Sequence, residues 1–452
     1  MAQKSITNTR TPRELAYRIL LEFEQERSRL DDLESRYLPR ADLSAQERRF
    51  LKQLLSGVIR HLLYLDWIIR QFYKGKFEKL LNKTKTILRL GLYELIFLEN
   101  IPAHASVNRY VQLAKNKINL KQSQLVNAIL RTYLRLDEPL RPEDIITDEA
   151  QLFSIKYSIP VWLIKRWLSL WGAEATAALC EANSATPQFD VRIHTGRISA
   201  QQFSDLLREH NIAFQKSAHS DQSMRIFDMQ AFIAGGWLDK GYCSVQDESA
   251  QIAVDLLDVQ EGDYVLDMCS APGGKFLQIL EKDRKDLVAV AMDVDKQRLL
   301  RVRENLHRMG LSPKGYLVVA DGRHPPFKVS FHKILLDAPC SGLGILSKHP
   351  DIKWRRSMDQ LLEFARLQAD LLKQAARLLR KNGILVYSTC TIEPLENEVV
   401  IDSFLKEQAG SFELQNIPER YANLRQGSYL RTFPHLHKTD GSFCAIIKKK
   451  YK

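Results

Sequence analysis

The chain has 452 residues, 45% hydrophobic and 27% charged, an ordinary globular composition with room for two or three domains. Six cysteines in this length exclude a disulfide framework, and no C-x-x-C pair or Cys/His cluster has zinc-site spacing, so no metal is expected. No apolar run is long enough to cross a membrane, and "MAQKSITNTRTPRELAYRIL" lacks the apolar region of a signal peptide, so a cytoplasmic protein is expected.

The net charge of +12 is uneven: residues 1–140 carry 25 Lys/Arg against 15 Asp/Glu, leaving +2 for the remainder. A basic part on a near-neutral body fits a polyanion partner or a lysine-rich solvated surface. Helical periodicity runs from Arg13 to about Arg135. Thr11 and Pro12 read as an N-cap and first-turn pair, and Ser44 to Glu47 as a capping box opening "SAQERRFLKQLLSGVIR". Further helices are expected from Lys83, from Ser106 after the breaker "IPAHA", and over "SQLVNAILRTYLR". The basic stretch Tyr73–Lys85 could track phosphates or simply face water.

"DEPLRPED" (Asp137–Asp144) reads as a linker. Beyond it "QFDVRIHTG", "SAQQFSDLLREH" and "IAFQKS" alternate strand, helix and strand, which predicts a small α+β unit. From Tyr242 onward strands are expected at Tyr264–Met268, Val288–Asp293, Tyr316–Ala320, Ile334–Asp337 and Ile384–Ser388, with helices at Asp295–Met309 and Asp359–Arg380. Such alternation predicts a parallel, doubly wound sheet with its ligand at the carboxyl ends of the strands. The three-part reading is 1–140 helical, 141–241 small α+β, and 242–452 Rossmann-like α/β.

Chemistry gathers at those strand ends. "YVLDMCSAPGGKFLQIL" is a strand, a Gly-rich turn and a helix start, in which Gly273 and Gly274 would admit a close ligand. It matches neither G-x-G-x-x-G nor a Walker loop. Acids close four successive strands, at Asp267, Asp293, Asp321 and Asp337. Asp293 suits ribose hydroxyls and Asp321 an adenine edge, so a nucleoside cofactor is expected. S-adenosylmethionine fits best, because carboxylates suit its cationic end.

Two cysteines stand beyond strands of this sheet, Cys340 in "LDAPCSGLG" and Cys390 in "VYSTCTI". Lys348, Lys353 and Arg355 are sequence-local cations that could lower a thiol pKa. Cys180, Cys243 and Cys444 read as buried hydrophobes, and Cys269 as part of the cofactor turn. A methyl donor beside a thiolate suits carbon 5 of cytosine, which becomes nucleophilic once a thiolate adds at carbon 6. A carboxyl such as Asp337 would assist at N3, and a second group would assist elimination.

"VLDMCSAPGGK", "DAPCSG" and "STCT" together resemble the RNA cytosine-5 methyltransferases of the NOL1/NOP2/Sun type, and "LRLGLYELIFLENIPAHASVNRYVQLAK" resembles a NusB-like RNA-binding domain. The combination is similar to the bacterial 16S rRNA members of that family. The resemblance implies Cys390 as nucleophile, with Cys340 for product release and Asp337 beside the methyl and the base. It places the cofactor on Cys269, Ser270, Ala271, Pro272, Gly273, Gly274, Lys275, Asp293, Asp321 and Asp337. It implies 16S rRNA, free or in an assembling small subunit, as partner; no membrane or metal partner is expected, and a monomer is the default. A tRNA substrate and a non-catalytic RNA-binding or antitermination factor are the alternatives. Ser270 stands where the family more often has alanine, and Arg109 where NusB-like helices commonly carry an acid.

Overall fold

The computed structural model describes residues 11–26, 28–312 and 314–451, so the first half of the stretch on which the signal-peptide reading rests lies outside the described residues. The chain divides into two compact units. The first runs to Ala185 and also takes in His349–Arg355; the second holds Thr186–Lys348 and the chain from Arg356 onward.

The first unit is a helical bundle: α1 (Pro12–Glu26), α2 (Leu30–Tyr37), α3 (Ala45–Arg60), α4 (Leu62–Phe72), α5 (Asn82–Phe97), α6 (Ala103–Lys117), α7 (Leu120–Leu134), α8 (Glu149–Tyr157) and α9 (Val161–Ser184). The Ser44–Glu47 capping box forms, and the Thr11 hydroxyl accepts from Glu14 N at 3.2 Å. α6 starts earlier than its apolar pattern suggests, because Pro102 occupies the N-cap position directly before Ala103. Ile87, Leu88, Leu90 and Leu92 of α5 are all fully buried, so this helix runs through the core. Its two buried charges are paired. Arg89 Nε and Nη2 reach the Asp66 carboxylate at 2.6 and 2.8 Å, and Glu94 accepts from Arg13, Ser106 and Tyr110. Arg109 is exposed.

The bundle does not stop at the linker. α8 and α9 belong to it, with a break at Gly172, where φ is +78°. The distant segment His349–Arg355 belongs to it too: Trp354 Nε1 donates to Ile59 O at 2.9 Å, and Lys353 Nζ to Arg60 O at 3.0 Å.

In the second unit, strands β1 (Phe189–Ile193), β2 (Phe214–Lys216), β3 (Ser223–Ile226) and β4 (Cys243–Val245) form an antiparallel sheet ordered β2-β3-β1-β4. Strands β3 and β4 are too short to show a period in the sequence.

The larger sheet contains β5 (Tyr264–Met268), β6 (Val288–Asp293), β7 (Gly315–Val319), β8 (Phe331–Asp337), β9 (Leu379–Thr389), β10 (Phe412–Leu414), β11 (Arg425–Gln426), β12 (Tyr429–Thr432) and β13 (Ser442–Lys449). Its order is β11-β12-β13-β9-β8-β5-β6-β7, with β10 on β13. Strands β5 to β9 are parallel to one another, as alternation with helices predicts. Their central residues are buried on both faces: Leu266, Leu336 and Tyr387 point into one core, Val265, Leu335 and Val386 into the other.

The parallel sheet expected from the sequence is extended by β13, which pairs antiparallel with β9 from Phe443↔Thr389 to Lys448↔Ile384. Phe443, Ala445 and Ile447 enter one core, and Cys444 and Ile446 the other, so β13 closes an edge that would otherwise expose β9. Chain order runs outward from β5 to β7, then reverses to β8 and β9. That reversal makes a switch point between β5 and β8, where a crevice opens at the carboxyl ends.

Candidate active site

At the end of β5 the chain turns through Cys269 (φ +70°) and Gly273 (φ +101°), with the Ala271–Pro272 bond cis. A Cβ on Gly273 would lie 2.9 Å from Val302 Cγ1, so both conformation and space demand glycine there. Gly274 differs: its nearest neighbour to an added Cβ is Gln246 at 3.8 Å, an ordinary contact, so it does not share Gly273's constraint.

The turn is tied down from below. Ser270 N donates to Met292 O at 2.9 Å, and the Ser270 hydroxyl to Asp267 Oδ2 at 2.8 Å. Ala271 N donates to Asp293 Oδ2 at 3.0 Å, while Asp293 Oδ1 accepts from Asp295 N at 2.9 Å. Asp293 therefore holds the loop with both oxygens, keeping its remaining lone pairs for a ligand.

Beside the turn lies a cleft of about 250 Å³, lined among others by Cys269, Asp293, Val294, Asp321, Arg323 and Pro339. Three of the residues expected to hold a cofactor, Cys269, Asp293 and Asp321, thus share one wall system. Asp321 is paired with Arg323 at 2.6 Å, and hydrogen bonds from that side chain and its backbone hold the carboxyl below its usual range. Ser270 to Lys275 shape the loop rather than line this cleft.

Asp267 was legible only as a strand-end acid. Its Oδ1 is buried with no hydrogen-bond partner among the described residues, and burial pushes its carboxyl up to about 7. A buried, unsatisfied acceptor below an apolar cleft is costly unless a donor or cation arrives there. The basic residues at the turn and cleft are already engaged, Lys275 by Asp337, Arg323 by Asp321 and Arg298 by Ala271 O, so the carboxylates fit an ammonium or sulfonium better than a phosphate.

The two cysteines meet. Cys340 Sγ and Cys390 Sγ are 3.1 Å apart, within hydrogen-bond reach. The loops carrying them are joined by Gly344 N to Cys390 O at 3.1 Å and by Ser341 Oγ to Thr391 Oγ1 at 2.8 Å. Lys275 leaves the cofactor turn and reaches Asp337 Oδ2 at 2.7 Å, while Ser388 Oγ donates to Asp337 Oδ1 at 3.2 Å. Burial disfavours the Lys275 ammonium, but the Asp337 carboxylate outweighs it and leaves the pKa raised.

The thiols share a proton unequally. The hydrogen bond from Cys340 favours the Cys390 thiolate against burial; the Lys275 cation acts in the same sense, while the Asp337 and Glu396 carboxylates oppose it, and the pKa is lowered. Cys340 is pushed up by that same hydrogen bond, by burial, and by the Cys390 and Glu396 charges. The sequence-local cations do not serve this role. Lys348 is held by Asp247 and Asp440 at 2.7 and 2.9 Å, Lys353 donates to Arg60 O, and Arg355 pairs with Asp351. Lys275 lies far from the cysteines in sequence, so only the parallel pairing of β5 with β8, and β8 with β9, brings it near. Cys180, Cys243 and Cys444 are buried, each raised to about 12 by burial, and are inert packing groups. Among the described residues no cluster of three or more His, Cys, Asp or Glu could hold a metal, and no helix is long and apolar enough to cross a membrane.

A helical bundle, a small antiparallel sheet and a Rossmann-like mixed sheet with a cleft beside the β5 turn make the architecture of a multidomain methyltransferase. Residues 254–448 match the family described as 16S rRNA methyltransferase RsmB/F, residues 10–135 the NusB family, and residues 159–231 the ferredoxin-like domain of RsmF/B-like methyltransferases. A probable ribosomal RNA small subunit methyltransferase B from Synechocystis is 34% identical, over 97% of this chain and 99% of its own length. One of the same description from Bacillus subtilis is 30% identical, covering 97% and 98%. The solved chain PH0851 shares the fold with TM-score 0.80 at 24% identity, over 97% of this chain and 99% of its own. A methyltransferase homologue from Pyrococcus horikoshii aligns at 29% identity and TM-score 0.58, over 67% of this chain and all of its own. The chain belongs to the ribosomal RNA small subunit methyltransferase B family.

Proposed function

We propose that this protein methylates carbon 5 of a cytosine in 16S rRNA, free or in an assembling small subunit, through a covalent adduct with Cys390. The observation that carries the reading is the pair of thiols 3.1 Å apart beside the Lys275–Asp337 ion pair. The names of the relatives, which describe small-subunit rRNA methyltransferases, support the substrate class.

S-adenosylmethionine, when bound by the turn Cys269–Lys275 with Asp293 and Asp321, supplies an electrophilic methyl group. The unpartnered Asp267 oxygen and the carboxylates around the cleft support that fit. The Cys390 thiolate adds to carbon 6 of the cytosine, forming the C–S bond and moving the ring electrons toward carbon 5 and N3. The proton that N3 takes up comes from the Lys275–Asp337 pair. After methylation the carbon 5 proton leaves to water. Its electron pair rebuilds the C5–C6 double bond as the C–S bond breaks, Cys390 departs as a thiolate, and the N3 proton returns to the Lys275–Asp337 pair. The Cys340 thiol hydrogen-bonds that departing thiolate, restoring the resting pair.

In this reading the chain works as three parts, 1–140 for RNA binding, 141–241 as an RNA-recognition-like subdomain and 242–452 for catalysis, although helices α8 and α9 of the middle part pack in the helical unit. The NusB and ferredoxin-like matches support the first two. Incubating purified protein with methyl-labelled cofactor and unmodified 16S rRNA tests the function. Label at carbon 5 of one cytosine is expected, and its absence from every cytosine overturns the proposal. Cys390→Ala should abolish turnover and adduct. Cys340→Ala should leave an RNA adduct that survives denaturation; free turnover without adduct would remove Cys340 from the release step.

A further inference from the structure

The reaction above needs two thiols on separate loops to stay in contact through a cycle in which one of them changes its bonding. The loop after β8 carries Cys340 and the loop after β9 carries Cys390. Neither cysteine lies in a strand or helix, so backbone pairing alone does not hold their side-chain separation. One buried carboxylate joins them.

Glu396 is completely buried. Its Oε2 accepts from Ser341 N at 2.8 Å and from Gln368 Nε2 at 3.0 Å, and its Oε1 from Thr391 Oγ1 at 3.3 Å. Ser341 follows Cys340 and Thr391 follows Cys390, so a single rigid group spans the residues next to both thiols. The Ser341 hydroxyl lies 2.8 Å from Thr391 Oγ1 and closes the loop of contacts. Gln368 fixes the other side, donating also to Pro339 O at 2.8 Å. The Glu396 backbone is itself held, because Tyr387 OH donates to its carbonyl at 2.7 Å and Asn397 Nδ2 binds Thr391 O at 2.9 Å. Three donors converge on one side chain, and only a carboxylate accepts from all of them; an amide would turn a donor toward one.

We infer that Glu396 is a positioning residue that holds Cys340 against Cys390 for release of the methylated base. It touches neither thiol sulfur through a hydrogen bond. It acts through Ser341 and Thr391 on the separation of the two sulfurs. The inference rests on the proposed covalent reaction. Burial keeps the Glu396 carboxyl raised, yet hydrogen bonds from Ser341 and Gln368 oppose that effect, as expected of a group held in place for its acceptor oxygens.

The test compares wild type, Glu396→Gln and Cys340→Ala, each with S-adenosylmethionine and 16S rRNA, reading both turnover and denaturation-resistant adduct. Glu396→Gln is expected to form adduct within about threefold of the wild-type rate and to release product at least tenfold more slowly, so that adduct accumulates as in Cys340→Ala. A group needed only for folding would lower adduct formation and turnover together, with no accumulation, and that pattern overturns the inference. Wild-type turnover without adduct also overturns it. Adduct in Cys340→Ala but not in Glu396→Gln refutes the role of Glu396 alone. Absence of adduct in both refutes the covalent reading beneath it. If Glu396→Gln does not fold, Thr391→Val takes its place, removing one link and leaving the carboxylate with its other donors. Accumulated adduct then supports the inference, and unchanged turnover overturns it.

Discussion

Replacing Gly344 by alanine tests whether the two cysteine loops are locked together by backbone contact. A Cβ built on Gly344 would stand 1.9 Å from Gly441 O, 2.6 Å from Gly441 C and 2.9 Å from Cys390 O. All three are backbone atoms, so no side-chain rotation relieves the clash. Restoring ordinary contact requires the strands of chain to part by about 1.5 Å. Two hydrogen bonds cross this gap, Gly344 N to Cys390 O at 3.1 Å and Gly441 N to Gly344 O at 2.8 Å. Losing both removes about 2 kcal/mol, and overpacking adds about 1–3 kcal/mol. A total of about 3–5 kcal/mol corresponds to a melting midpoint lower by roughly 10 °C for a unit of this size. Thermal unfolding followed by circular dichroism reads the first consequence. The pH dependence of Cys390 alkylation reads the second: the parted loops deprive the Cys390 thiolate of its Cys340 donor, so the profile moves to higher pH. Gly427→Ala is the control, because Gly427 has φ +60° but open space around it, and strain alone should cost about 1–2 kcal/mol. A Gly344→Ala protein that melts within about 2 °C of wild type with an unchanged alkylation profile would refute the reasoning.

Lys275→Met should slow alkylation of Cys390 several-fold near neutral pH, with the difference vanishing once the pH exceeds the thiol pKa, since Lys275 is the cation that favours the thiolate. Equal profiles for the two proteins would show that Lys275 does not act on Cys390. Asp267→Asn should change the pH dependence of stability. Burial raises the folded carboxyl to about 7, above its unfolded value near ~4, so the folded state holds the extra proton between those values. Wild-type stability should therefore fall as pH rises from about 4 to about 7 and level off above. The asparagine protein should lack that fall and exceed wild type at pH 8 by a few kcal/mol at most. Urea midpoints at pH 5, 6, 7 and 8 that run parallel for the two proteins would contradict this.

Much of the sheet was legible in the sequence. The ranges Tyr264–Met268 and Val288–Asp293 coincide with β5 and β6, because a short apolar run closed by an acid and a turn leaves little freedom in a parallel strand. Local signals also foretold the capping box at Ser44 and the helices around Ile87 and Tyr110. The short strands β3, β4, β10 and β11 carried no period to detect. The antiparallel β13 could not be told from a parallel strand, since its residues are buried on both faces whichever way it runs.

For the site, composition and spacing determined that two cysteines and several acids stand at the ends of neighbouring strands. The tertiary structure decided their surroundings relative to one another. Nothing local distinguishes Cys340 from Cys390; in the fold the Cys340 hydrogen bond and the Lys275 cation from the β5 turn favour the Cys390 thiolate, while Glu396 ties both loops through Ser341 and Thr391. Lys353 shows the converse. It sits 13 residues from Cys340 in the chain, but its segment belongs to the helical unit and its side chain donates to Arg60 O. Sequence proximity is a poor guide to electrostatic proximity, because the strength of a charge–charge interaction depends on distance through space and on burial, and pairing and packing set both.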